Sequence, residues 1–396
     1  MGPETAQVVI VGGGVVGASA AWHLTRLGCR DVLVLERGKR AGEGSTGRAT
    51  GGFRAQFGTP VNVRLSLLAR EKLLAFEDET GVDPGYEPHG YLFLAGGEES
   101  LDALRRALGV QRGAGLLDSR EVDRREIAAL NPALRLDEVI GATFCPTDGF
   151  IRPLAILRGY LEAAARSGVR IRYGESCRKI RVEPRGDGSR APARVTGVRT
   201  ERGDIATPAV VDAAGAWAAE VASLAGAALP VRPERRQVAA TAPFDGLPAA
   251  MPMTIFADDG FHLRVRDGRT LLLWPRESRS SDPFDTRFDP KWLDGLMDLA
   301  VRRVPCLART AIDPGACRAG LYEMSPDRHA ILGESPEVKG LYYACGSSGH
   351  GIMHAPALGQ LLAEIVLDGE ASSLDVRALR PSRFDEGDPN PEAGLL

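Results

Sequence analysis

The sequence predicts an α/β protein in which a nucleotide-binding domain with parallel strands is joined to a second, α+β domain built on an antiparallel sheet. Three observations lead to this prediction. A strand–turn–helix–strand pattern covers residues 8–36, the alternation of strands and helices then breaks twice, and a second glycine-rich loop precedes an apolar helix near residue 350. A chain of 396 residues also exceeds the length at which one hydrophobic core keeps growing, so two domains are expected.

The first of these patterns carries the strongest motif. Four β-branched residues at 8–11 predict a strand, and Gly12, Gly14 and Gly17 follow with the spacing G-x-G-x-x-G. Gly12 allows a tight turn, Gly14 lets the backbone approach a pyrophosphate, and Gly17 lets the next helix pack on the strand. Glu36 ends the second strand, where a carboxylate binds a ribose diol. The motif predicts dinucleotide binding but does not distinguish a flavin from a nicotinamide dinucleotide.

Composition and charge exclude several classes of protein. The formal net charge is −3, which gives no sign of a nucleic-acid surface or a polybasic membrane anchor. The six cysteines form no C-x-x-C pair and no cluster with histidine, so we expect no metal site, reduced thiols and a cytoplasmic location. Residues 1–7 contain no Lys or Arg and glycines interrupt the apolar run after them, so neither an export signal nor a membrane span is expected.

Residues 41–54 form a second unusual segment, with five glycines, three hydroxyl side chains and two arginines. One interpretation is a mobile surface loop. The other, favoured by its position directly after the dinucleotide motif, is a wall of backbone N–H and hydroxyl donors around phosphates and a flat ring, with Arg54 projecting at its end.

Periodicity and turn residues predict the remaining elements. Helices are expected at 61–80, 100–108, 119–130, 153–167, 290–304 and 353–367. Strands are expected at 91–94, 141–144, 169–173, 177–182, 208–213, 236–241, 261–265, 270–274 and 341–344, with a hairpin over 185–188. The changes of pattern assign residues 1–80, 148–225 and 317–396 to a discontinuous nucleotide-binding domain, and residues 81–147 and 226–316 to a substrate-binding domain.

The glycine-rich loop at 346–351 opens the last predicted helix. A helix N-terminus carries about half a positive charge, which suits the electron-rich edge of a reduced flavin around N1 and C2=O. The chain has one G-x-G-x-x-G, so a nicotinamide-dependent dehydrogenase is the less favoured interpretation. His350 within this loop is either a participant in the chemistry or a buried structural residue.

Taken together, the N-terminal motif, the loop ending at Arg54 and the loop before the last helix resemble those of the FAD-dependent amine and amino-acid oxidoreductases. This D-amino-acid oxidase superfamily includes sarcosine oxidase β subunits, glycine oxidase and D-amino-acid dehydrogenase. The resemblance implies a Rossmann-like FAD-binding domain with an antiparallel sheet over the flavin. It also implies oxidation of the C–N bond of a small amine, amino acid or N-methyl amino acid by hydride transfer to flavin N5, giving an imine that hydrolyses.

The resemblance assigns Arg54 to the substrate carboxylate and Tyr322 to the pocket wall, with His262, Arg264 and His350 as further catalytic candidates. The candidate cofactor-binding residues are Gly12, Gly14, Val15, Val16, Gly17, Glu36, Arg37, Ser45, Thr46, Arg48, Ala49, Thr50, Gly51, Gly52, Cys177, Ala214, Gly215, Trp217, Gly346, Ser348, Gly349, His350, Gly351, Ile352 and Met353. The electron acceptor would be oxygen or a quinone or other electron carrier, and an oligomer or a hetero-oligomeric partner is possible.

Departures from the family pattern refine these expectations. Gly320 and Arg48 stand where relatives carry a cysteine or a histidine that attaches the flavin, so we expect noncovalent FAD. Met353 replaces a lysine that assists substrate binding in sarcosine oxidases, and no lysine lies between Lys179 and Lys291 to activate oxygen. These departures favour a dehydrogenase or slow oxidase. They also leave open a flavin-binding subunit or assembly factor without turnover of its own.

Overall fold

The computed structural model describes residues 4–183, 192–276 and 280–391. The hairpin predicted over residues 185–188 lies outside these ranges. The α-helices are α1 (Val15–Arg26), α2 (Ser45–Arg48), α3 (Pro60–Leu74), α4 (Phe76–Thr80), α5 (Glu98–Gly113), α6 (Arg124–Leu130), α7 (Pro153–Arg166), α8 (Ala218–Ser223), α9 (Leu296–Arg303) and α10 (Gly351–Asp368). The strands are β1 (Glu4–Thr5), β2 (Val8–Val11), β3 (Val32–Glu36), β4 (Gly52–Phe53), β5 (Tyr91–Ala95), β6 (Arg120–Val122), β7 (Gly141–Cys145), β8 (Gly149–Phe150), β9 (Arg170–Tyr173), β10 (Cys177–Glu183), β11 (Ala193–Thr200), β12 (Gly203–Ala206), β13 (Val210–Asp212), β14 (Arg232–Ala240), β15 (Met253–Phe256), β16 (His262–Arg266), β17 (Arg269–Leu273), β18 (Arg318–Met324), β19 (Ile331–Glu334), β20 (Val338–Lys339) and β21 (Leu341–Cys345).

A six-stranded sheet in the order β19-β21-β13-β2-β3-β9 holds the N-terminal motif. All of its pairs are parallel except β19–β21. All four residues of the central strand β2 are buried, as expected for a parallel strand covered on both faces. Helix α1 packs against α7 and α10. The carboxyl ends of β2, β13 and β21 therefore meet at one edge, the position at which open α/β sheets bind ligands.

An eight-stranded sheet in the order β18-β14-β17-β16-β15-β5-β7-β6 forms the second large layer. Its pairs are antiparallel except β5–β15. Strand β18 pairs along β14 and then reaches the other sheet through a bridge between Met324 and Ser347. This strand lies beyond the predicted domain boundary at residue 317, yet its pairing joins it to the eight-stranded sheet. Strand β18 was not predicted from the sequence pattern.

Smaller sheets complete the architecture. Strands β1, β12, β11 and β10 form one path with β20 paired to β11, and β4 pairs with β8. The β4–β8 pair ties the end of the 41–54 segment to the chain just before α7.

Three predicted helices differ in the structure. The helix expected at 61–80 is interrupted at Ala75, where α3 ends and α4 begins. The helix expected at 119–130 is replaced by β6 and α6, because Asp123 caps α6 by accepting a hydrogen bond from the Glu126 backbone N–H at 2.8 Å. The helix expected at 290–304 starts as a 3₁₀ turn, and Gly295 with φ of 76° separates that turn from α9.

Candidate functional site

One cavity of about 1290 Å³ lies between the carboxyl edge of the six-stranded sheet and the eight-stranded sheet. Pockets for drug-sized ligands are commonly about 300–1,000 Å³, so this volume suits a larger ligand or two ligands side by side. The predicted residues that line it are Gly12, Gly14, Val15, Val16, Glu36, Arg37, Ser45, Thr46, Arg48, Ala49, Thr50, Gly52, Arg54, Cys177, Ala214, Gly215, Trp217, His262, Tyr322, Ser348, Gly349, His350, Gly351, Ile352 and Met353.

Gly17, Gly51, Gly346 and Arg264 are absent from this lining. The three glycines lie behind the wall, where they permit close packing. A Cβ on Gly17 would stand 2.0 Å from the Gly12 carbonyl oxygen, and one on Gly51 would stand 2.3 Å from the Ile151 carbonyl oxygen. These glycines therefore shape the wall without reaching the cavity.

The first glycine loop is shaped as a dinucleotide requires. Gly12 has φ of 110°, and a Cβ there would lie 2.4 Å from the Ala213 carbonyl oxygen. Glu36 accepts hydrogen bonds from the backbone N–H of Gly13 at 2.9 Å and of Gly38 at 2.6 Å. A carboxylate has about four acceptor sites, so Glu36 keeps capacity for a ribose diol.

The 41–54 segment is fixed to β18 rather than being a mobile loop. Ser45 donates its hydroxyl hydrogen bond to the Leu321 carbonyl oxygen at 2.7 Å, and Arg48 Nη1 donates to the Ala319 carbonyl oxygen at 3.0 Å. Thr46 Oγ1 accepts from the Val15 backbone N–H at 3.2 Å, at the start of α1. The short helix α2 thus forms a wall between the two sheets.

Arg54 is held inside the cavity with only 4% of its surface exposed. Its Nη1 donates to the Gln56 carbonyl oxygen at 3.0 Å, and its Nη2 lies 3.3 Å from His350 Nε2. A guanidinium can only donate, so His350 Nε2 accepts and the ring proton sits on Nδ1. Burial, with Arg54 next, holds the pKa of His350 well below its usual value. His350 is therefore a neutral acceptor for Arg54.

A buried acid supports the backbone around Arg54. Asp148 is fully buried and accepts from the Ala55 backbone N–H at 2.7 Å and from Gln56 Nε2 at 3.1 Å. Burial raises the pKa of Asp148 to about 6. The Arg54 guanidinium carbon also lies 4.2 Å from the centroid of the Phe57 ring. These contacts fix the position of the guanidinium.

His262 and Arg264, two residues apart on β16, have different surroundings. His262 lines the cavity, and its Nδ1 donates to the Gly260 carbonyl oxygen at 2.7 Å, while burial lowers its pKa to about 4. Arg264 is 5% exposed, lies 3.3 Å from the Phe150 ring centroid and donates to the Thr50 carbonyl oxygen at 3.1 Å. Arg264 therefore does not line the cavity, and its place in the substrate pocket stays a prediction. Its long side chain holds the backbone of residues 50–51 through hydrogen bonds.

Two tyrosines stand on the same side of the cavity as Arg54. The ring of Tyr322 packs against Gly349, where a Cβ would lie 2.3 Å from it, and the Tyr91 hydroxyl lies 2.0 Å from the Cβ position of Gly52. Burial raises the pKa of both phenols, so each is neutral. These glycines let the aromatic rings reach the cavity wall.

The prediction missed Tyr91, Arg236 and Glu323, which also line the cavity. Arg236 lies on β14, two residues after Glu234, and Glu234 pairs with Tyr322 of β18. The guanidinium carbon of Arg236 lies 5.7 Å from the Tyr322 ring centroid. Only the pairing with the unpredicted strand β18 could have brought Arg236 to the site.

At the other end of the cavity, Trp217 forms a stack with a guanidinium and a second aromatic ring. The Arg37 guanidinium carbon lies 3.7 Å from the Trp217 ring centroid, and the Phe284 ring stacks at 5.1 Å with an interplanar angle of 13°. Arg37 directly follows Glu36, so this stack lies beside the predicted ribose site. It therefore joins the nucleotide end of the cavity to the segment after β17.

Comparison with known proteins agrees with this geometry. A sequence model of the family described as FAD dependent oxidoreductase matches residues 7–365. The chain belongs to this family. As a member of this family it is an FAD-dependent oxidoreductase and a flavoprotein.

Three proteins illustrate what this flavoprotein is similar to. It is 30% identical to mitochondrial sarcosine dehydrogenase from Mus musculus over 97% of this chain and 42% of that protein. It is 27% identical to the mitochondrial pyruvate dehydrogenase phosphatase regulatory subunit of Mus musculus over 93% of this chain and 42% of that protein. The crystal structure of L-proline dehydrogenase from P. horikoshii has a TM-score of 0.88 and 28% identity, covering 98% of this chain and all of that one. The chain thus spans less than half the length of these two mitochondrial relatives.

The cavity fits FAD. The glycine loop and the N-terminus of α1 suit the pyrophosphate, Glu36 suits the ribose, and α10 begins at Gly351 in the cavity lining. Within the described ranges, no group of three metal-binding side chains gathers into a metal site. No described helix has both the length and the apolarity that a bilayer crossing requires.

Proposed function

We propose that this flavoprotein oxidises the C–N bond of a small amino acid or N-methyl amino acid, with Arg54 binding the substrate carboxylate. The observation that carries the proposal is a guanidinium held 4% exposed within the cavity, with hydrogen bonds to Gln56 and His350. Burial lowers the pKa of Arg54, which means that its positive charge is costly there. A carboxylate would stabilise that charge through a bidentate pair.

When bound, FAD accepts the hydride from the carbon that bears the nitrogen. The chain's part is to position that carbon and to keep the substrate nitrogen unprotonated. His262, His350 and the two tyrosines are neutral near pH 7, so they do not add charge around a neutral amine. Arg54 orients the substrate through the group that does not react, a contribution that lowers the barrier by fixing geometry.

Two of the proteins that the chain resembles support an amino-acid substrate. Sarcosine and L-proline are both secondary amino acids, and each carries one carboxylate close to the nitrogen. This common feature matches the role proposed for Arg54. We therefore place secondary amino acids first among the substrates to be tested.

The test compares Arg54→Lys and Arg54→Ala with the wild type on carboxylate-bearing amines. Lysine keeps the charge but loses the fork, so KM should rise roughly tenfold or more while kcat falls less, and alanine should cost about 10²-fold or more in kcat/KM. Arg105→Lys, on an exposed pair with Glu121, is the matched surface control and should behave as wild type. Unchanged KM in both Arg54 variants with normal FAD content would contradict the proposal.

We also propose that electrons pass faster to a quinone or dye than to oxygen. A compact cation near the flavin favours superoxide formation. The described cavity lining contains arginines such as Arg54 and Arg236, whose charge is spread over a guanidinium, but no lysine, and His350 is neutral. Anaerobic reduction by substrate followed by mixing with air-saturated buffer measures the choice. Reoxidation faster than steady-state turnover would identify an oxidase.

FAD is proposed to be noncovalent. Gly320 offers no nucleophile, and Cys317 Sγ lies 3.3 Å from the Asp313 carbonyl oxygen rather than lining the cavity. Acid precipitation should release the flavin into the supernatant, and flavin retained in the pellet would contradict this assignment.

A cytoplasmic location is a further proposal, supported by six cysteines that form no disulfide in the structure. The domain boundaries given above likewise remain proposals.

A second candidate is a flavin-binding subunit without independent turnover. The relative named as a regulatory subunit of pyruvate dehydrogenase phosphatase favours it, as does Met353 on the cavity wall in place of a lysine. Yellow purified protein whose flavin is not reduced by any amino acid under anaerobic conditions would support this candidate over the first.

A further inference from the structure

A carboxyl group lines the cavity where no role has been assigned to one. Glu323 follows Tyr322 on β18, and its Oε1 accepts a hydrogen bond from the Ser347 backbone N–H at 3.2 Å. A Cβ on Gly351 would lie 3.3 Å from Oε1, and a Cβ on Gly215 would lie 3.5 Å from Oε2. The carboxyl thus touches both the start of α10 and the turn that follows β13.

This position lies between the two glycine loops that bind FAD. Gly12 packs against Ala213, two residues before Gly215, while Gly351 is the first residue of α10. Glu323 stands between these walls and lines the same cavity. A dinucleotide that spanned the cavity from the first glycine loop to the start of α10 would therefore lie beside Glu323.

A second acid lies behind Glu323, and one of its two oxygens has no hydrogen-bond partner among the described residues. Asp212, the last residue of β13, is fully buried, and its Oδ1 accepts from the Ala214 backbone N–H at 3.1 Å. Its Oδ2 is buried and has no hydrogen-bond partner among the described residues. An ionised carboxylate in that state would cost several kcal/mol, so Asp212 holds its proton. Burial, with Glu323 contributing, raises the pKa of Asp212 well above its usual range.

The side chains that face the pair supply no positive charge, whereas the N-terminus of α10 and the Ser347 N–H lie against Glu323. Asp212 faces Glu323 from β13, Cys345 faces both acids from β21, and Cys177 and Tyr343 face Asp212. These neighbours are acids, thiols or a phenol. Burial raises the pKa of Glu323 to about 7, although the N–H of Ser347 partly opposes the rise. The phosphates of a bound FAD would add negative charge to the same cavity, which would oppose ionisation of Glu323.

We propose that Glu323 is protonated when FAD is bound and donates a hydrogen bond to an oxygen of the dinucleotide, so that the chain takes up one proton on binding FAD. No bond other than this hydrogen bond forms, and the proton comes from solvent. The inference rests on FAD binding alone and does not depend on which amine is oxidised.

The experiment titrates FAD into wild-type apo-protein by calorimetry at pH 6 to 9, in pairs of buffers with different ionisation enthalpies. At pH 8 we expect uptake of close to one proton, and Kd should weaken as pH rises above 7 by up to about tenfold per pH unit. Binding that takes up no proton and is independent of pH would overturn the proposal.

Variants assign the proton to a residue. Glu323→Gln keeps a donor of similar size, so it should bind FAD with neither proton uptake nor pH dependence. Asp212→Asn should retain the uptake, because Asp212 is protonated in both states, and Glu121→Gln, an exposed control, should match the wild type. Uptake that survives in Glu323→Gln or disappears only in Asp212→Asn would overturn the assignment.

A measurement on the wild-type protein covers the case in which Glu323→Gln fails to fold. FAD binding at pH 8 should create the C=O stretching band of a protonated carboxyl group in the infrared difference spectrum. The absence of that band would contradict the proposal. Neither outcome depends on substrate turnover, so failure here is distinct from failure of the proposed amine oxidation.

Discussion

The six-stranded sheet offers mainly backbone to the cavity, whereas the eight-stranded sheet offers side chains. Gly12 and Gly351 bring bare main chain to one wall, and Tyr91, Arg236 and Tyr322 project from the other. Each glycine loop of the backbone wall is encoded by a few consecutive residues. The side-chain wall is assembled by strand pairing between residues as far apart as 236 and 320. Changes to the first wall should therefore disturb FAD binding, and changes to the second should disturb substrate binding.

The largest expected effect comes from adding one methyl group to the backbone wall. In Gly12→Ala the new Cβ would meet the Ala213 carbonyl oxygen at 2.4 Å, in a backbone with φ of 110°. We expect a loss of about 3 kcal/mol or more of FAD-binding free energy, or at least roughly 100-fold in Kd, measured by flavin titration. Gly28→Ala is the matched control, because Gly28 has φ of 95° and nothing within 4 Å of its Cβ position. Equal losses in the two variants would mean that backbone strain alone explains the effect.

The next effect tests whether the two regions unfold together on acidification. Burial lowers the pKa of His354 on α10 to about 3 and that of His262 on β16 to about 4. The unfolded chain binds these protons near pH 6.5 and the folded chain does not, so stability falls as pH drops below 6.5. Between pH 6.5 and 5, the free energy of unfolding measured with urea should fall by about 2 kcal/mol less in His354→Gln than in the wild type. For His262→Gln this difference should be at most that large. A response in only one variant would show separate unfolding of the regions.

A smaller effect concerns His350, the hydrogen-bond acceptor of Arg54. His350 lies in the glycine loop before α10, on the backbone wall. His350→Leu removes a neutral acceptor from a guanidinium, a hydrogen bond worth about 1.5 kcal/mol, so KM for a carboxylate-bearing substrate should rise about tenfold. His350→Gln can offer a carbonyl oxygen in its place and should recover part of the loss. If the leucine variant changes only FAD affinity, His350 serves the cofactor rather than Arg54.

The smallest effect separates two arginines of the substrate side. Arg264→Lys loses the contact with Phe150 and the hydrogen bonds to the 50–51 carbonyl oxygens, which should cost about 1 kcal/mol of stability. KM should stay unchanged, in contrast to Arg54→Lys. A rise in KM as large as that of Arg54→Lys would show that the 49–51 backbone, and not Arg54 alone, determines substrate binding.

The sequence predicted local features well and failed where distant segments meet. Gly12, Gly14 and Glu36 belong to one βαβ unit, so their spacing alone predicts a loop and a ribose site. Arg264 shares a strand face with His262, and alternation gave no reason to separate them. The difference depends on Phe150, which comes from a strand more than 100 residues earlier.

Missed elements have the same cause. Strand β18 ends at Met324 and is followed directly by Ser325 and Pro326, whose turn character hides the pairing of β18 with β14. Without that pairing, neither Arg236 nor Glu323 could be assigned to the cavity. In α9 the error was local instead, because Gly295 interrupts a pattern that is otherwise helical.

The stack of Arg37, Trp217 and Phe284 gives the protein an optical reporter. Two of the four tryptophans, Trp217 and Trp274, line the cavity, so their emission should be quenched by energy transfer when a flavin enters. Trp217 packs against the Arg37 guanidinium and stacks on Phe284, and these contacts restrict the rotation of its ring. Its fluorescence can therefore follow the arrival of the nucleotide in real time, without substrate and without a label.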